Sequence, residues 1–276
     1  TVLMRARSVA RTLPVAIDSI LAQTFKDFEL LVIDDASTDA TPDIARAYAQ
    51  RDARVRLIRG ESHLGVSRAA NLGLREARGK YVAIMDADDW SMPERLARQV
   101  AYLDAHREVV ICGGAIEVCD GDLRSVLPRR YHLDDEAIRA RLFRYSPFAH
   151  PAVMFRAEAA RRAGGYRGDL ERGAEDYDFY FRLGRIGKFA NLSETLLRLR
   201  TSPDSFSRRH SRAIELATIG ARWRAVREYG YRPRLLDGAY SLGQFATVLM
   251  PPSWRFWAFA WLRSRTAIRG TSDAQG

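Results

Sequence analysis

Three carboxylates crowd into four positions at the end of one apolar run: Tyr81-Val82-Ala83-Ile84-Met85 leads into Asp86, Asp88 and Asp89. Carboxylates packed this densely repel one another unless a cation sits among them, and a hard divalent ion with oxygen ligands is the usual solution. A second acidic pair, Asp34-Asp35, closes another apolar run that begins at Phe28. The chemistry open to such residues is metal-assisted reaction of a phosphorylated substrate. Asp-rich turns after strands also cap helices, and Pro93 at the start of the next helical segment suits that lesser role.

The elements that must position these acids follow from hydrophobic periodicity. Strand-like runs recur at Val2 to Arg7, Phe28 to Asp34, Val55 to Ile58, Tyr81 to Met85 and Val109 to Cys112. Between them, Leu13/Ile17/Ile20, Ile44/Ala45/Tyr48, Val66/Ala69/Ala70/Leu74 and Leu96/Val100/Leu103 keep helical spacing. Alternation of this kind predicts an α/β fold: βαβ units with right-handed crossovers and a mainly parallel central sheet covered by helices on both faces. Ligands of such sheets bind outside the carboxyl ends of the strands, where both acidic clusters fall.

Beyond about residue 115 the pattern is mixed. A hairpin is expected over Glu117 to Leu127 around Asp120-Gly121-Asp122, and a short acid-capped helix over Asp134 to Phe143. Ala152 to Phe155 reads as a strand, Ala157 to Ala163 as a helix stopped by Gly164-Gly165, Asp176 to Leu183 as a helix and Ala190 to Leu199 as a last strand. The expected organisation is one α/β domain over 1–204 and a basic helical C-terminal region over 205–276.

Composition bounds the rest. The 276 residues carry a net charge of +10, with 47% hydrophobic and 28% charged residues, ordinary for a globular enzyme. Between Ser205 and Gly270 the arginines far outnumber the acids Glu215, Glu228 and Asp237, so the excess charge is concentrated there. A surface that meets anionic lipid or a phosphorylated acceptor, or simply a solvated helix face, would use it. Cys112 and Cys119 have no partners at zinc-ligand spacing and read as reduced. The chain opens on Val2-Leu3-Met4 without a basic segment and long apolar core, so a cytoplasmic location, peripheral at the inner face of the membrane, is the expectation.

Taken together, the segments Ser19-Ile20-Leu21-Ala22-Gln23-Thr24-Phe25, Leu31-Val32-Ile33-Asp34-Asp35-Ala36-Ser37, Asn71-Leu72-Gly73-Leu74, Met85-Asp86-Ala87-Asp88-Asp89 with Pro93-Glu94-Arg95-Leu96, His150-Pro151-Ala152-Val153, Gly164-Gly165-Tyr166 and Ala174-Glu175-Asp176-Tyr177-Asp178 resemble the inverting glycosyltransferases of family 2. Order and spacing agree over about residues 1 to 200. The resemblance implies a GT-A fold and a nucleotide-sugar donor, with a UDP-sugar expected, and a glycan or lipid-linked acceptor. It implies that Asp35 receives the nucleotide base, that Asp88 with Asp86 binds Mn²⁺ or Mg²⁺, and that Asp176 is the general base of a single inverting displacement. His150, Glu175 and Asp89 fall on the acceptor side or behind it; helix capping or a surface ion pair is the alternative for Asp178.

Two departures bear on function. The first strand ends in Arg5-Ala6-Arg7-Ser8 where the family has a Pro-Val-Tyr-Asn-like run, so Arg5 is expected to contact the donor through its guanidinium fork. The stretch Leu242 to Leu262 holds Trp254, Trp257 and Trp261 but is interrupted by Pro251-Pro252 and Arg255. An interfacial helix from about Pro252, or one packed on the domain, fits it better than a membrane span. Two rival functions remain at this level. A metal-dependent phosphoryl-transfer enzyme also uses Asp-x-Asp after a strand, but on its first strand. A basic nucleic-acid-binding protein would suit the pI near 10.0, but acids on the sheet edge would repel phosphates, so no nucleic-acid partner is expected.

Overall fold

The computed structural model describes residues 1–170, 173–201 and 211–249. The first half runs β1 (Val2–Ala6), α1 (Leu13–Leu21), β2 (Leu30–Asp34), α2 (Thr41–Arg51), β3 (Val55–Arg59), α3 (Val66–Glu76) and β4 (Tyr81–Asp86). After a two-residue strand β5 (Trp90–Ser91) come α4 (Arg95–Ala105), β6 (Val109–Cys119), β7 (Ser125–Arg129) and α5 (Asp135–Arg139). A 3₁₀ turn at His150–Ala152 leads to β8 (Met154–Arg156), α6 (Ala157–Arg162), α7 (Glu175–Leu183) and β9 (Lys188–Arg200). Two helices follow, α8 (Ser211–Arg227) and α9 (Leu235–Leu249). None of the helices among the described residues is long and apolar enough to cross a membrane.

One sheet holds the strands in the order β3-β2-β1-β4-β8-β6-β9-β5, with β7 paired to β6. The first four are parallel, as expected; β8 enters antiparallel between β4 and β6, and β9 returns parallel to β6. Side chains alternate strictly between two cores. Leu3, Leu31, Ile33, Val82 and Ile84 face one, and Val2, Met4, Leu30, Val32, Ala83 and Met85 face the other. Strands buried on both faces read as continuous apolar runs, which is why β1, β2 and β4 were visible in the sequence.

Several of the family-like segments turn out to be structural clasps. Gln23 on the end of α1 donates to the Ser19 and Met92 carbonyls and accepts from the Leu96 N–H, so it fixes α4 against α1. Arg95, fully buried, donates to the Ile84 and Val153 carbonyls across β4 and the approach to β8, and burial holds its pKa down to about 10. Asn71 grips Tyr166 by both backbone groups, accepting from its N–H at 2.7 Å and donating to its C=O at 2.6 Å. That clasp requires Gly165, whose φ is +66° and whose missing Cβ would lie 2.4 Å from the Asn71 Oδ1. Gly73 lets α3 lie on β1, because a Cβ there would fall 2.1 Å from a Leu3 methyl. Gly73→Ala is therefore expected to cost about 1–3 kcal/mol by overpacking, read as a lower urea midpoint at unchanged slope.

Candidate functional site

The site is built from strand ends. In the order β2-β1-β4, Asp35 follows the last residue of β2 and Asp86 is the last of β4, with β1 between them. Registers pair Ala6 with Asp34 and Arg5 with Asp86. Adjacent strands lie about 4.8 Å apart, so the two acids stand about 10 Å from each other on one carboxyl edge.

Asp86, Asp88 and Asp89 offer carboxylate oxygens within 4.8 Å of one another. Asp89 is 2% exposed; its Oδ1 accepts the Arg200 N–H at 2.8 Å, while Oδ2 is buried without a hydrogen-bond partner. Burial first, then the neighbouring Asp86, pushes the Asp88 carboxyl up to about 6. The same two causes, with Asp88 added, hold Asp89 well above the carboxylate range. An orphaned buried oxygen in a turn where Asp88 and Asp89 both resist ionising fits a hard divalent cation, which would supply the missing partner and the missing charge.

Arg200, at the end of β9, fixes this turn. Its Nε donates to the Asp88 carbonyl at 2.7 Å, and its guanidinium also donates to the Gly121 carbonyl in the β6–β7 turn. The short strand β5 pairs with β9 at Leu197 and Arg198, so the whole acidic turn is clamped to β9.

Asp35 is held by the loop before α3. Its Oδ1 accepts the Leu64 N–H at 2.6 Å, and its Oδ2 accepts the Gly65 N–H at 3.2 Å and meets His63 Nδ1 at 2.7 Å. On the other side of the imidazole, Arg7 Nη1 lies 2.7 Å from Nε2. A guanidinium can only donate, so Nε2 accepts and the proton sits on Nδ1, pointing at Asp35. Asp35 itself is 5% exposed.

Arg5 lies between the two acidic ends. Its Nη2 is 3.7 Å from Asp86 Oδ1 and its Nη1 donates to the Val66 carbonyl at 3.2 Å. Its charge is also felt by Glu175, Asp176 and His150, which places the start of α7 and the 3₁₀ turn around the same edge.

Glu175 and Asp176 open α7. Asp176 Oδ1 accepts the Tyr177 N–H at 2.7 Å. Burial raises the Asp176 carboxyl, and burial followed by the Asp176 charge lifts Glu175 to about 7. The residue before them, Ala174, has φ +62°. Ser8 after β1 and Ala36 after Asp35 are also left-handed, at φ +51° and +54°. Three left-handed non-glycine residues thus flank Arg5, Asp35 and Glu175, the kind of local strain that collects at functional sites.

His150 is enclosed. Its Nδ1 is 2.7 Å from the Tyr180 hydroxyl and its Nε2 3.2 Å from the Tyr166 hydroxyl. Burial, then the Arg5 charge, drives its pKa down to about 3, so it is neutral. Tyr166 and Tyr180 are both buried, and both feel the Asp176 charge.

Asp178 departs from the expected cap or surface pair. It is fully buried, with Arg182 Nε and Arg224 Nε each 2.9 Å away and the Tyr229 hydroxyl donating at 3.1 Å. The pair is internal because α8 packs on α7 and carries Arg224 into the interface. Arg222 is likewise 4% exposed, donating to the Arg144 carbonyl and to Gln244. The arginine-rich region is therefore not wholly a solvated face. The segment from about Pro252 lies outside the described residues.

Sequence reasoning brought forward Asp35, Asp86, Asp88, Asp89, Arg5, His150, Glu175 and Asp176, and the structure gathers them on one edge. It passed over His63, Arg7 and Arg200. The one available signal was that His63 stands directly before the Leu64-Gly65 turn into α3, where a loop returns to the strand ends.

Residues 1–164 match the model of glycosyl transferase family 2, and the chain belongs to that family. It is a glycosyltransferase with the GT-A fold. Over 215 residues it is 37% identical to EpsE of Bacillus subtilis (strain 168), named as a glycosyltransferase, covering 76% of this chain and 75% of that one. Over 195 residues it is 31% identical to the amylovoran biosynthesis glycosyltransferase AmsE of Erwinia amylovora, covering 70% and 72%. Among solved structures it resembles the mannosyltransferase PcManGT from Pyrobaculum calidifontis in complex with GDP-Man and Mn²⁺, with a TM-score of 0.68 and 20% identity over 99% of this chain and 75% of that one.

Proposed function

We propose that the chain transfers a sugar from a UDP-sugar donor to a hydroxyl of a glycan or lipid-linked acceptor, with inversion at C1. The observation that carries this reading is the convergence of acids from β2, β4 and α7 around Arg5 on one carboxyl edge. Asp35 accepts the imide N–H of the uracil ring, and the His63–Arg7 pair lines the approach to it. Asp86 and Asp88, with the orphaned oxygen of Asp89, hold Mn²⁺ or Mg²⁺. An ion bound there stabilises, as a Lewis acid, the charge that develops on the departing diphosphate.

Asp176 accepts the proton of the acceptor hydroxyl as that oxygen attacks C1 from the face opposite the diphosphate. The new C–O bond forms as the C1–O bond to the phosphate breaks, so one displacement inverts the centre. Arg5, between Asp86 and the start of α7, offsets the negative charge crowded at this edge. His150, neutral, orients Tyr166 and Tyr180 behind the acceptor side. These residues all belong to the sheet domain, 1–204; the region 205–276 contributes α8, which braces α7.

Calorimetry with UDP and Mn²⁺ tests the reading. Asp88→Asn is expected to weaken Mn²⁺-dependent UDP binding about tenfold or more, about 1.4 kcal/mol or more; unchanged affinity would sink it. The pH dependence has a definite sign. With Asp88 raised to about 6 in the metal-free protein, protons compete for the carboxylate below that value. Mn²⁺ affinity is therefore expected to fall as pH drops through about 6 and, because Asp89 is also held well above the carboxylate range, to go on rising above it.

A further inference from the structure

The last described helix exposes a face that a monomer in water has little reason to keep. Leu235, Leu236 and Leu242 are 96%, 70% and 73% exposed, and Phe245 is 47% exposed. Heptad spacing puts Leu235 and Leu242 on one line of α9, with Phe245 three residues further on the same side. Asp237 is the one charged residue of this helix, and it points inward: it is 5% exposed, ion-paired to Arg144 at 2.8 Å and accepting the Arg234 N–H. The outward face is apolar from end to end of its described side chains.

The neighbouring helix continues the pattern. On α8, Leu216, Trp223 and Arg227 fall at seven- and four-residue steps, on the side opposite the buried Ala221 and Ala225. Trp223 is 57% exposed, with the Arg227 guanidinium 4.6 Å from its ring centroid. Between the helices stand Arg232 and Arg234, both exposed. Apolar side chains, an interfacial tryptophan and flanking arginines together are the pattern of a surface that rests in the headgroup layer of an anionic bilayer.

We propose that the outer faces of α8 and α9 form a docking surface for an anionic phospholipid bilayer. Charge decides the occupant: among the described residues Arg212, Arg227, Arg232 and Arg234 are exposed on or between these helices against one exposed acid, Glu228, and an excess of this sign meets an anionic surface without needing a shaped partner. A second copy of this chain would bring the same positive charge to the contact. The docking face lies on the far side of α8 from α7, against which α8 packs with Ile214 on Gly173, two residues before Glu175, so a single helix separates it from the start of α7.

Co-sedimentation of the full chain with vesicles tests this. Binding is expected to vesicles of phosphatidylcholine with about a third phosphatidylglycerol, to weaken with salt, and to be lost on phosphatidylcholine alone. Leu235→Ser/Leu242→Ser/Phe245→Ser, and separately Trp223→Ala/Arg227→Glu, are each expected to lower anionic-vesicle binding at least about tenfold while UDP–Mn²⁺ affinity is unchanged, which separates this proposal from the assignment of the site. Absence of vesicle binding overturns it. So does binding that survives both variants and disappears only when 250–276 are removed, or a concentration-dependent dimer that the triple variant abolishes.

Discussion

Asp176→Asn is expected to lower the transfer rate by about 10²–10⁴-fold, the usual contribution of a positioned general base, with UDP–Mn²⁺ affinity within about twofold of wild type. Asparagine keeps the oxygen that accepts from the Tyr177 N–H, so the first turn of α7 stays in place. What it loses is the ability to take a proton. The neighbouring Glu175 supplies an internal control. Its carboxyl is lifted to about 7 by burial and then by the Asp176 charge, so near neutral pH the two acids share less than two negative charges. Burial and the Asp86 charge, not Glu175, raise Asp176, so Glu175→Gln should leave the acidic limb of kcat/KM in place, with a much smaller loss of rate than Asp176→Asn. If instead Glu175→Gln abolishes transfer and Asp176→Asn spares it, the two roles are exchanged. Steady-state rates over pH 5 to 9 with a UDP-sugar and Mn²⁺ decide between them.

The sheet's first half was legible because each strand is buried on both faces and so written as an apolar run. The predicted Val2 to Arg7, Phe28 to Asp34 and Tyr81 to Met85 differ from β1, β2 and β4 by two residues or fewer at either end. Asp134 was visible as a cap because the bond is local: its Oδ1 accepts the Ala137 N–H three residues on. What escaped was non-local. β5 is two residues long and exists through pairing with β9, more than a hundred residues away. Arg200 and Arg224 are two among many arginines in the chain, and nothing adjacent marks them as the ones drawn to Asp89 and Asp178. Counting charge placed Arg224 in a basic region read as surface and left Arg200 unremarked. Position in space assigns them to the site's framework. His63 was hidden for the same reason: its partner Asp35 is 28 residues earlier, on another element. The acids themselves were legible because strand ends in parallel sheets gather on one edge whatever the connecting loops do.

Asp178→Asn is expected to destabilise the fold by about 3–5 kcal/mol, because it leaves the guanidinium groups of Arg182 and Arg224 without their counter-charge in the interface between α7 and α8. Both arginines are largely buried, with side-chain exposures of 13% and 16%, so water cannot replace the lost carboxylate. Urea unfolding should show the loss as a lower midpoint at unchanged slope. An interior ion pair of this kind is not itself a large source of stability, since an apolar pair of similar volume would often do as well. Asp178→Leu combined with Arg224→Leu should therefore recover more than Asp178→Leu alone. Function distinguishes this bond from mere packing. Asp178 lies two residues beyond Asp176 in α7, whereas the residues proposed to hold the donor stand at the ends of β2 and β4. In protein kept folded below its midpoint, Asp178→Asn should lower kcat while the donor KM stays close to wild type. A parallel rise in donor KM would mean that α8 supports the whole edge of the sheet rather than the base alone.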